Sequence, residues 1–145
     1  AVHWNGSSWT SQALPTADDK FGIFGITKNR IWAVGSGGKI AVYDGTSWMP
    51  QNSPTTLQLN AVWGASAAEM WAVGQNGTRI SGNNGVWTPA NFGSMDFYAV
   101  WGTAANDVWF VGANANAVHY DGMTTQPRNM NLPVGVRLRA VWGDA

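Results

Sequence analysis

The chain has 145 residues, a formal net charge of zero and only 11% charged residues, so it lacks the basic surface of a nucleic-acid or membrane-surface binder. It contains 10 tryptophans and 18 glycines but no cysteine, which excludes disulfides and thiolate metal sites. No stretch approaches the roughly 18 apolar residues of a membrane-spanning helix, so membrane insertion is not expected. The length predicts a single domain with large apolar surfaces to bury.

A four-residue motif, Ala-Val-Trp-Gly, recurs along the chain. It occupies 61–64, 99–102 and 140–143, and a variant, Phe-Gly-Ile-Phe-Gly, occupies 21–25. The copies begin 40, 38 and 41 residues apart, which predicts a repeat protein with units of about 40 residues. We call this segment the AVWG motif and interpret it as the first strand of each unit.

Each unit continues with the same features. A second aromatic residue follows the motif's own aromatic by eight positions and opens a short apolar run that stops at glycine, as a buried strand does. These second aromatics are Trp32, Trp71 and Trp109. Turns rich in Gly, Asn and Asp then separate a third and a fourth run, the pattern of tight hairpins. The fourth run carries Trp48 or Trp87, replaced by Thr125 in the last unit.

In chain order, the pattern gives one partial unit, three complete units and the start of another. Residues 1–20 correspond to the third and fourth runs, since 1–6 align with 117–122. The complete units are 21–60, 61–98 and 99–139, and 140–145 supplies a first strand only. Each complete unit is predicted to hold four short antiparallel strands and essentially no helix.

Four-stranded units of about 40 residues are typical of β-propeller blades. We therefore predict an all-β protein, a single β-propeller with three complete blades and two partial ones that bury their faces against neighbouring blades. The unpaired strand edges leave three explanations open: part of a longer chain, subunits that complete each other's blades, or an imperfect four-bladed ring. A homo-oligomer or a longer chain is the expected way of completing the ring.

The repeat resembles the VWG-type propeller repeats of bacterial secreted and cell-surface proteins. The resemblance covers the whole chain and is best seen at 61–74, 99–112 and 40–48. These segments contain the AVWG motif, the Trp-Ala-Val-Gly or Trp-Phe-Val-Gly run, and a Tyr-Asp-Gly-Thr-Ser-Trp segment. It implies a propeller exported to the cell surface, the medium or the periplasm. It implies no particular activity, because such repeats are mostly known without an assigned one.

Function is predicted in the connectors between blades, because they differ in length and chemistry while the strands repeat. All of them lead into first strands, so they are expected on one face of the propeller. The candidate contact residues are Asn91, Phe92 and Asp96 in one connector, and Arg128, Asn129 and Arg137 in another. We expect them to engage a protein or cell-surface partner.

The tryptophans of the fourth strands offer an alternative function. Trp9, Trp48 and Trp87 lie beside Asn-Gly or Asp-Gly turns, and an aromatic residue near a blade edge can stack against a sugar. The alternative is therefore a carbohydrate-binding, lectin-like propeller with one site per blade. The simpler interpretation places these side chains in the core, and it places the motif tryptophans between blades. The motif tryptophans are Trp63, Trp101 and Trp142.

No catalytic, metal-binding or cofactor-binding residues are predicted. His3 and His119 fall at the same position of two units, as strand-surface residues would, and no carboxylate cluster accompanies them at metal-ligand spacing. The sequence also has no nucleophile elbow and no phosphate-binding loop. We therefore predict a non-enzymatic module for binding or assembly.

Overall fold

The computed structural model describes residues 1–144 and shows an all-β protein. A two-stranded hairpin precedes three antiparallel four-stranded sheets, in each of which neighbouring strands follow one another along the chain. The hairpin consists of β1 (Val2–Trp4) and β2 (Trp9–Ser11). Blade 1 consists of β3 (Lys20–Thr27), β4 (Arg30–Gly35), β5 (Ile40–Tyr43) and β6 (Trp48–Gln51). Blade 2 consists of β7 (Leu59–Ser66), β8 (Glu69–Gly74), β9 (Arg79–Asn83) and β10 (Val86–Pro89). Blade 3 consists of β11 (Phe97–Ala104), β12 (Asp107–Gly112), β13 (Ala117–Tyr120) and β14 (Thr125–Arg128).

The predicted three complete blades of four antiparallel strands are confirmed. The blades stack through their first strands, with β7 between β3 and β11. One core lies between blades 1 and 2 and a second between blades 2 and 3. Among residues 1–144, no helix is both long enough and apolar enough to cross a membrane.

The AVWG motif builds the contact between successive first strands. Trp63 of blade 2 packs over Gly102 of blade 3, where an added Cβ would lie 2.8 Å from the indole ring. Trp101 packs over Gly143 in the same way, with a corresponding distance of 2.9 Å. The motif glycine therefore leaves room for the tryptophan of the preceding unit at these two positions, whereas the side chain of Met70 lies over Gly64. The predicted packing role holds for Trp63 and Trp101, but Trp142 is exposed, because none of the described residues lies over it.

The strand register corrects the start of the variant motif. Gly22 pairs with Val34 in blade 1, as Ala61 pairs with Val73 in blade 2. Gly22 therefore occupies the position of Ala61, and the preceding Phe21 lies outside the motif. The start predicted from sequence was therefore one residue early, whereas Phe24 occupies the tryptophan position, eight residues before Trp32, as the spacing predicts.

The predicted first strand at 140–145 is not a strand in this structure. Residues 137–144 form no β-ladder, although Gly143 contacts Trp101 as a first strand of the next blade would. The physical reason is that the described residues supply no second strand beside it to exchange backbone hydrogen bonds. Ala145, the last residue of the prediction, lies outside the described residues.

One polar side chain organises the turn before the fourth strand in three places. The Oδ1 atoms of Asn5, Asp44 and Asp121 each accept two backbone N–H groups at 2.7–2.9 Å. The pKa of Asp44 lies below its usual range mainly because of the hydrogen bond from the Ser47 N–H. The pKa of Asp121 is lowered in the same way, mainly by the Thr124 N–H. Because the neutral Asn5 makes the same bonds, these residues serve the turn itself.

The turns between second and third strands need two successive residues with positive φ. Blade 1 uses Gly37 and Gly38, and blade 2 uses Asn76 and Gly77. Blade 3 places Ala115 in the second position, with φ of 57°. A left-handed conformation strains alanine by about 1 kcal/mol, whereas glycine adopts it freely.

Replacing Ala115 with glycine is expected to raise the free energy of unfolding by about 1 kcal/mol. The matched control is Ala113→Gly in the same turn, where φ is not positive and glycine is expected to cost about 0.5 kcal/mol. Urea denaturation of both variants measures the difference. Equal destabilisation by the two substitutions would show that Ala115 is not strained.

Candidate binding face

The connectors lie together at one end of the blades, which we call the connector face. Each connector ends by accepting a backbone hydrogen bond from the turn between the second and third strands of the blade that follows. The donor and acceptor pairs are Ser36 N to Asp19 O at 2.9 Å, Gln75 N to Gln58 O at 3.0 Å and Ala113 N to Asp96 O at 2.9 Å. The repeated bond fixes the base of every connector, so the segments that differ between blades stand on a uniform scaffold.

The candidate residues of the connector between blades 2 and 3 fold onto one turn. The Oδ1 atom of Asp96 accepts the N–H of Asn76 at 2.9 Å, and the N–H of Phe92 donates to the carbonyl oxygen of Gly77 at 3.1 Å. Asn91 is exposed, and its Oδ1 accepts the N–H of Arg79 at 3.4 Å. The structure thus brings Asn91, Phe92 and Asp96 together and uses part of their polar capacity to hold the connector.

The candidate residues after blade 3 form a separate and more exposed group. Arg128, Asn129 and Arg137 are all exposed. The Oδ1 atom of Asn129 accepts the N–H of Asn131 at 2.8 Å, which closes a local turn. No hydrogen bond joins this group to Asn91, Phe92 or Asp96 among residues 1–144.

A polar network that the sequence reasoning missed extends from Arg128 across the outer face of blade 3. Nη2 of Arg128 lies 3.4 Å from Nδ1 of His119, whose Nε2 lies 2.7 Å from Oδ1 of Asp107. Thr103 donates to the other oxygen of Asp107 at 2.5 Å. The hydrogen bonds from Thr103 and then His119 lower the pKa of Asp107. An imidazole that donates through Nε2 and accepts through Nδ1 fits both neighbours.

The network was missed because its members belong to different strands. Asp107 and His119 are 12 residues apart. Each falls at a recurring position of the repeat, for which the sequence predicts a structural role. Only the pairing of β12 with β13 brings them together, with His119 opposite Trp109. The imidazole also stacks on the indole of Trp109, with ring centres 4.4 Å apart. The result is a fixed polar surface beside an aromatic ring.

Among residues 1–144, Arg79 is the charged residue whose side chain is buried in the core. It lies between blades 2 and 3, where Nε donates to the carbonyl oxygen of Ala90 at 2.8 Å and Nη2 to Oγ1 of Thr125 at 3.1 Å. The guanidinium carbon is 4.9, 5.3 and 5.7 Å from the ring centres of Phe110, Trp71 and Phe92. Burial lowers the pKa of Arg79 to about 10, so it remains charged at neutral pH. Arg79 holds two blades together and faces no open site.

Two of the three tryptophans proposed as sugar platforms are unavailable. Trp48 and Trp87 are 8% and 7% exposed, whereas Trp9 is 69% exposed. The indole N–H of Trp48 donates to Gln12 at 3.1 Å and that of Trp87 to Gln51 at 3.0 Å. Trp48 packs against residues of its own blade and Leu14 of the preceding connector, and Trp87 packs in the core between blades 1 and 2. The prediction of one sugar site per blade is therefore wrong for these two positions.

The described residues 1–144 contain no group of three or more His, Cys, Asp or Glu side chains that could hold a metal ion. The connector face instead offers exposed amides and guanidinium groups on a rigid base. Such an arrangement can form hydrogen bonds and ion pairs with a partner molecule.

Comparison with known proteins shows the fold. No protein-family model matches the chain, and no curated protein matches it significantly. A solved structure described as YCF48 bound to D1 peptide is similar, with a TM-score of 0.68 and 17% identity over 79% of this chain and 41% of that one. YCF48 from Cyanidioschyzon merolae gives a TM-score of 0.70 and 15% identity over 85% of this chain and 44% of that one. The chain thus spans less than half the length of these β-propellers, and the likeness identifies its own fold as part of a β-propeller.

Proposed function

We propose that the chain is part of a non-enzymatic β-propeller that binds a protein partner through its connector face. The observation that carries the proposal is the contrast between uniform blades and unlike connectors. The same backbone bond, 2.9–3.0 Å long, anchors each connector, while the exposed side chains differ from one connector to the next. The similar fold of YCF48, solved with a bound D1 peptide, supports peptide binding by a propeller of this kind.

The charges on this face favour a partner segment with acidic side chains. Arg128, Arg137 and Arg139 are exposed at or after the end of blade 3. The carboxylate of Asp96 on the neighbouring connector is partly engaged by the backbone of Asn76. The exposed cations therefore outnumber free anions here, and complementary charge would steer an acidic peptide to the face.

Reducing the positive charge of the face is expected to weaken peptide binding. Arg137→Ser should raise the Kd of acidic peptides selected from a random display library by about threefold to tenfold, and added salt should weaken binding of the parent protein. The matched control is Lys28→Ser, which removes one exposed charge at the opposite end of the blades. Fluorescence anisotropy measures the affinities. Equal affinities for the two variants would contradict the proposed face, and binding of glycans instead of peptides would favour the lectin-like alternative.

We also propose that the protein acts outside the cytoplasm of a bacterium, at the cell surface, in the medium or in the periplasm. The support is the resemblance to VWG-type repeats, and the absence of cysteine is compatible with it. Fractionation of cells that produce the protein tests the location. Recovery from the cytoplasm alone would contradict it.

A further inference from the structure

A cavity of about 420 Å³ opens between blades 2 and 3, at the end of the blades opposite the connector face. Its volume lies within the range of roughly 300–1,000 Å³ that ligand pockets occupy. Blade 2 contributes residues from its three outer strands, namely Glu69, Trp71, Ser81, Asn83, Val86 and Thr88. Blade 3 closes the other side with Ala105 and Tyr120. We call this space the inter-blade cavity.

The wall of the inter-blade cavity on blade 2 is more polar than the same surface of blade 1. The strand register places Ser81 and Thr88 at the positions of Val42 and Met49. Their hydroxyl oxygens lie 2.9 Å apart, next to Trp71, which belongs to the core between blades 2 and 3. Hydroxyl groups are costly on a surface that packs against apolar groups. Their place here suits a surface that stays open to a polar ligand.

The mouth of the inter-blade cavity carries a carboxylate without a cationic partner. Glu69 is exposed at the start of β8. Within residues 1–144, ion pairs join Lys20 to Asp18 and His119 to Asp107, and none involves Glu69. Its Oε2 accepts the hydroxyl of Ser66 at 3.3 Å. The carboxylate therefore has both charge and hydrogen-bonding capacity left for a ligand.

Most of the other polar groups of the cavity are left mainly with acceptor capacity. Tyr120 donates its O–H to the carbonyl oxygen of Gly122 at 2.8 Å, so its phenolic oxygen can only accept a further hydrogen bond. The hydroxyl of Thr88 lies within 3.4 Å of the carbonyl oxygen of Ser81, and the hydroxyl of Ser81 can donate to Thr88. A carboxylate beside several free acceptors favours a cationic ligand with many N–H donors.

Blade 1 shows that a guanidinium group fits this end of a blade boundary. Arg30 occupies the position of Glu69 in the strand register, and its guanidinium carbon lies 5.5 Å from the ring centre of Trp32. In blade 2 the corresponding ring, that of Trp71, is covered from within the core by Arg79, at 5.3 Å. Because Arg79 does not line the inter-blade cavity, an incoming cation belongs at the mouth, beside Glu69.

We propose that the inter-blade cavity binds an arginine side chain of a partner protein. The guanidinium group donates to the carboxylate of Glu69 and to the oxygen acceptors of the cavity wall. The aliphatic part of the arginine packs against Val86, which is 67% exposed. Arginine is preferred to lysine because its planar group carries five donors and matches a carboxylate with two parallel hydrogen bonds. This site lies at the opposite end of the blades from the connector face, and it does not depend on peptide binding there.

Titration of the 145-residue chain with the peptide acetyl-Gly-Arg-Gly-amide tests the proposal. Two-dimensional NMR should show saturable shifts of the Glu69 and Ser81 amide signals and of the Trp71 indole signal, with a Kd of about 1 mM. The same peptide with citrulline keeps the shape of arginine but carries no charge. It should bind at least about tenfold more weakly, because the charge-assisted hydrogen bonds to Glu69 are lost.

Two variants test the residues of the site. Glu69→Gln keeps the shape of the side chain and should weaken binding of the arginine peptide at least about fivefold. The matched control is Asp19→Asn, which removes an exposed carboxylate at the connector face and should leave the affinity unchanged. The double variant Ser81→Val, Thr88→Met introduces the residues of blade 1 and should abolish saturable binding. Cooperative unfolding in urea checks that this variant remains folded.

Three results would each overturn the proposal. They are no saturable shift up to about 10 mM of the arginine peptide, equal affinities for the arginine and citrulline peptides, and equal loss of affinity in Glu69→Gln and Asp19→Asn. Saturable binding of neutral monosaccharides in place of the arginine peptide would also overturn it, and would assign the cavity to a sugar. None of these results bears on the acidic peptides of the connector face, which are measured separately.

Discussion

Gly74→Ala is expected to lower the free energy of unfolding by about 4 kcal/mol, a large effect for one methyl group. Gly74 ends β8 and is buried, and a Cβ there would fall far inside van der Waals contact with the carbonyl oxygen of Gln58. That oxygen also accepts the N–H of Gln75 at 3.0 Å. The obstacle is backbone, so the methyl group can be accommodated only by separating the connector from the blade. The cost should appear in urea denaturation as a lower midpoint with an unchanged m-value.

The matched control is Gly25→Ala, also in a strand and without positive φ. Its nearest obstacle is a side-chain carbon of Ile31 at 3.2 Å, which can move, so the loss should stay below about 1 kcal/mol. A loss below about 1 kcal/mol for Gly74→Ala as well would contradict the packing argument.

The second large effect concerns Arg79, which is expected to compensate for a missing tryptophan. Gln12 binds Trp48 across one blade boundary and Gln51 binds Trp87 across the next. At the third boundary the same positions hold Ala90 and Thr125, and neither can make the indole bond. Arg79, at the position that is Ile40 in blade 1, reaches both of these residues with its guanidinium group. At this boundary the hydrogen bonds of the Arg79 guanidinium group thus replace the glutamine–indole bond that joins the other blades.

Arg79→Ile alone should therefore cost about 2–3 kcal/mol, because it leaves a cavity and removes charge-assisted hydrogen bonds. Thr125→Trp alone should cost about 1–3 kcal/mol, because the indole would enter space that the guanidinium fills. The triple variant Arg79→Ile, Ala90→Gln, Thr125→Trp recreates the glutamine–indole hydrogen bond of the other boundaries. Its stability should return to within about 1 kcal/mol of the parent protein.

A thermodynamic cycle over these variants measures the coupling. Chemical denaturation of the single and combined variants should give an interaction energy of about 2 kcal/mol in favour of the triple variant. Additive losses would show that Arg79 and Thr125 act independently. Because the comparison depends on recovery, a destabilised single variant does not by itself support the argument.

Much of the fold was predictable because its signals are local. The period near 40, the apolar runs that end at glycine and the Asp-Gly and Asn-Gly turns each depend on a few neighbouring residues, and together they predict four-stranded blades. The start of the variant motif was predicted one residue early. The spacing of eight residues to Trp32 predicts Phe24 at the tryptophan position, and the pairing of Phe24 with Trp32 confirms it, but only the strand register shows that Gly22 takes the place of the alanine.

From the sequence, only the face of the propeller that carries the candidate site was predictable. The connectors were expected on one side of the propeller because each leads into a first strand. The partners of individual side chains were not predictable, since Asp96 bonds to Asn76, 20 residues earlier, and His119 meets Asp107 through strand pairing. Such contacts depend on which backbone segments the fold places side by side.

Trp9, Trp48 and Trp87 show where the sequence stops and the tertiary structure decides. Sequence alone places all three at the same position of a fourth strand, because the turn and the spacing that set this position are local. Their exposed fractions are 69%, 8% and 7%, and this difference depends on whether a preceding blade element covers the ring. A repeat determines the shape of its own blade, but the burial of its aromatic residues is determined by the neighbour on which it stacks.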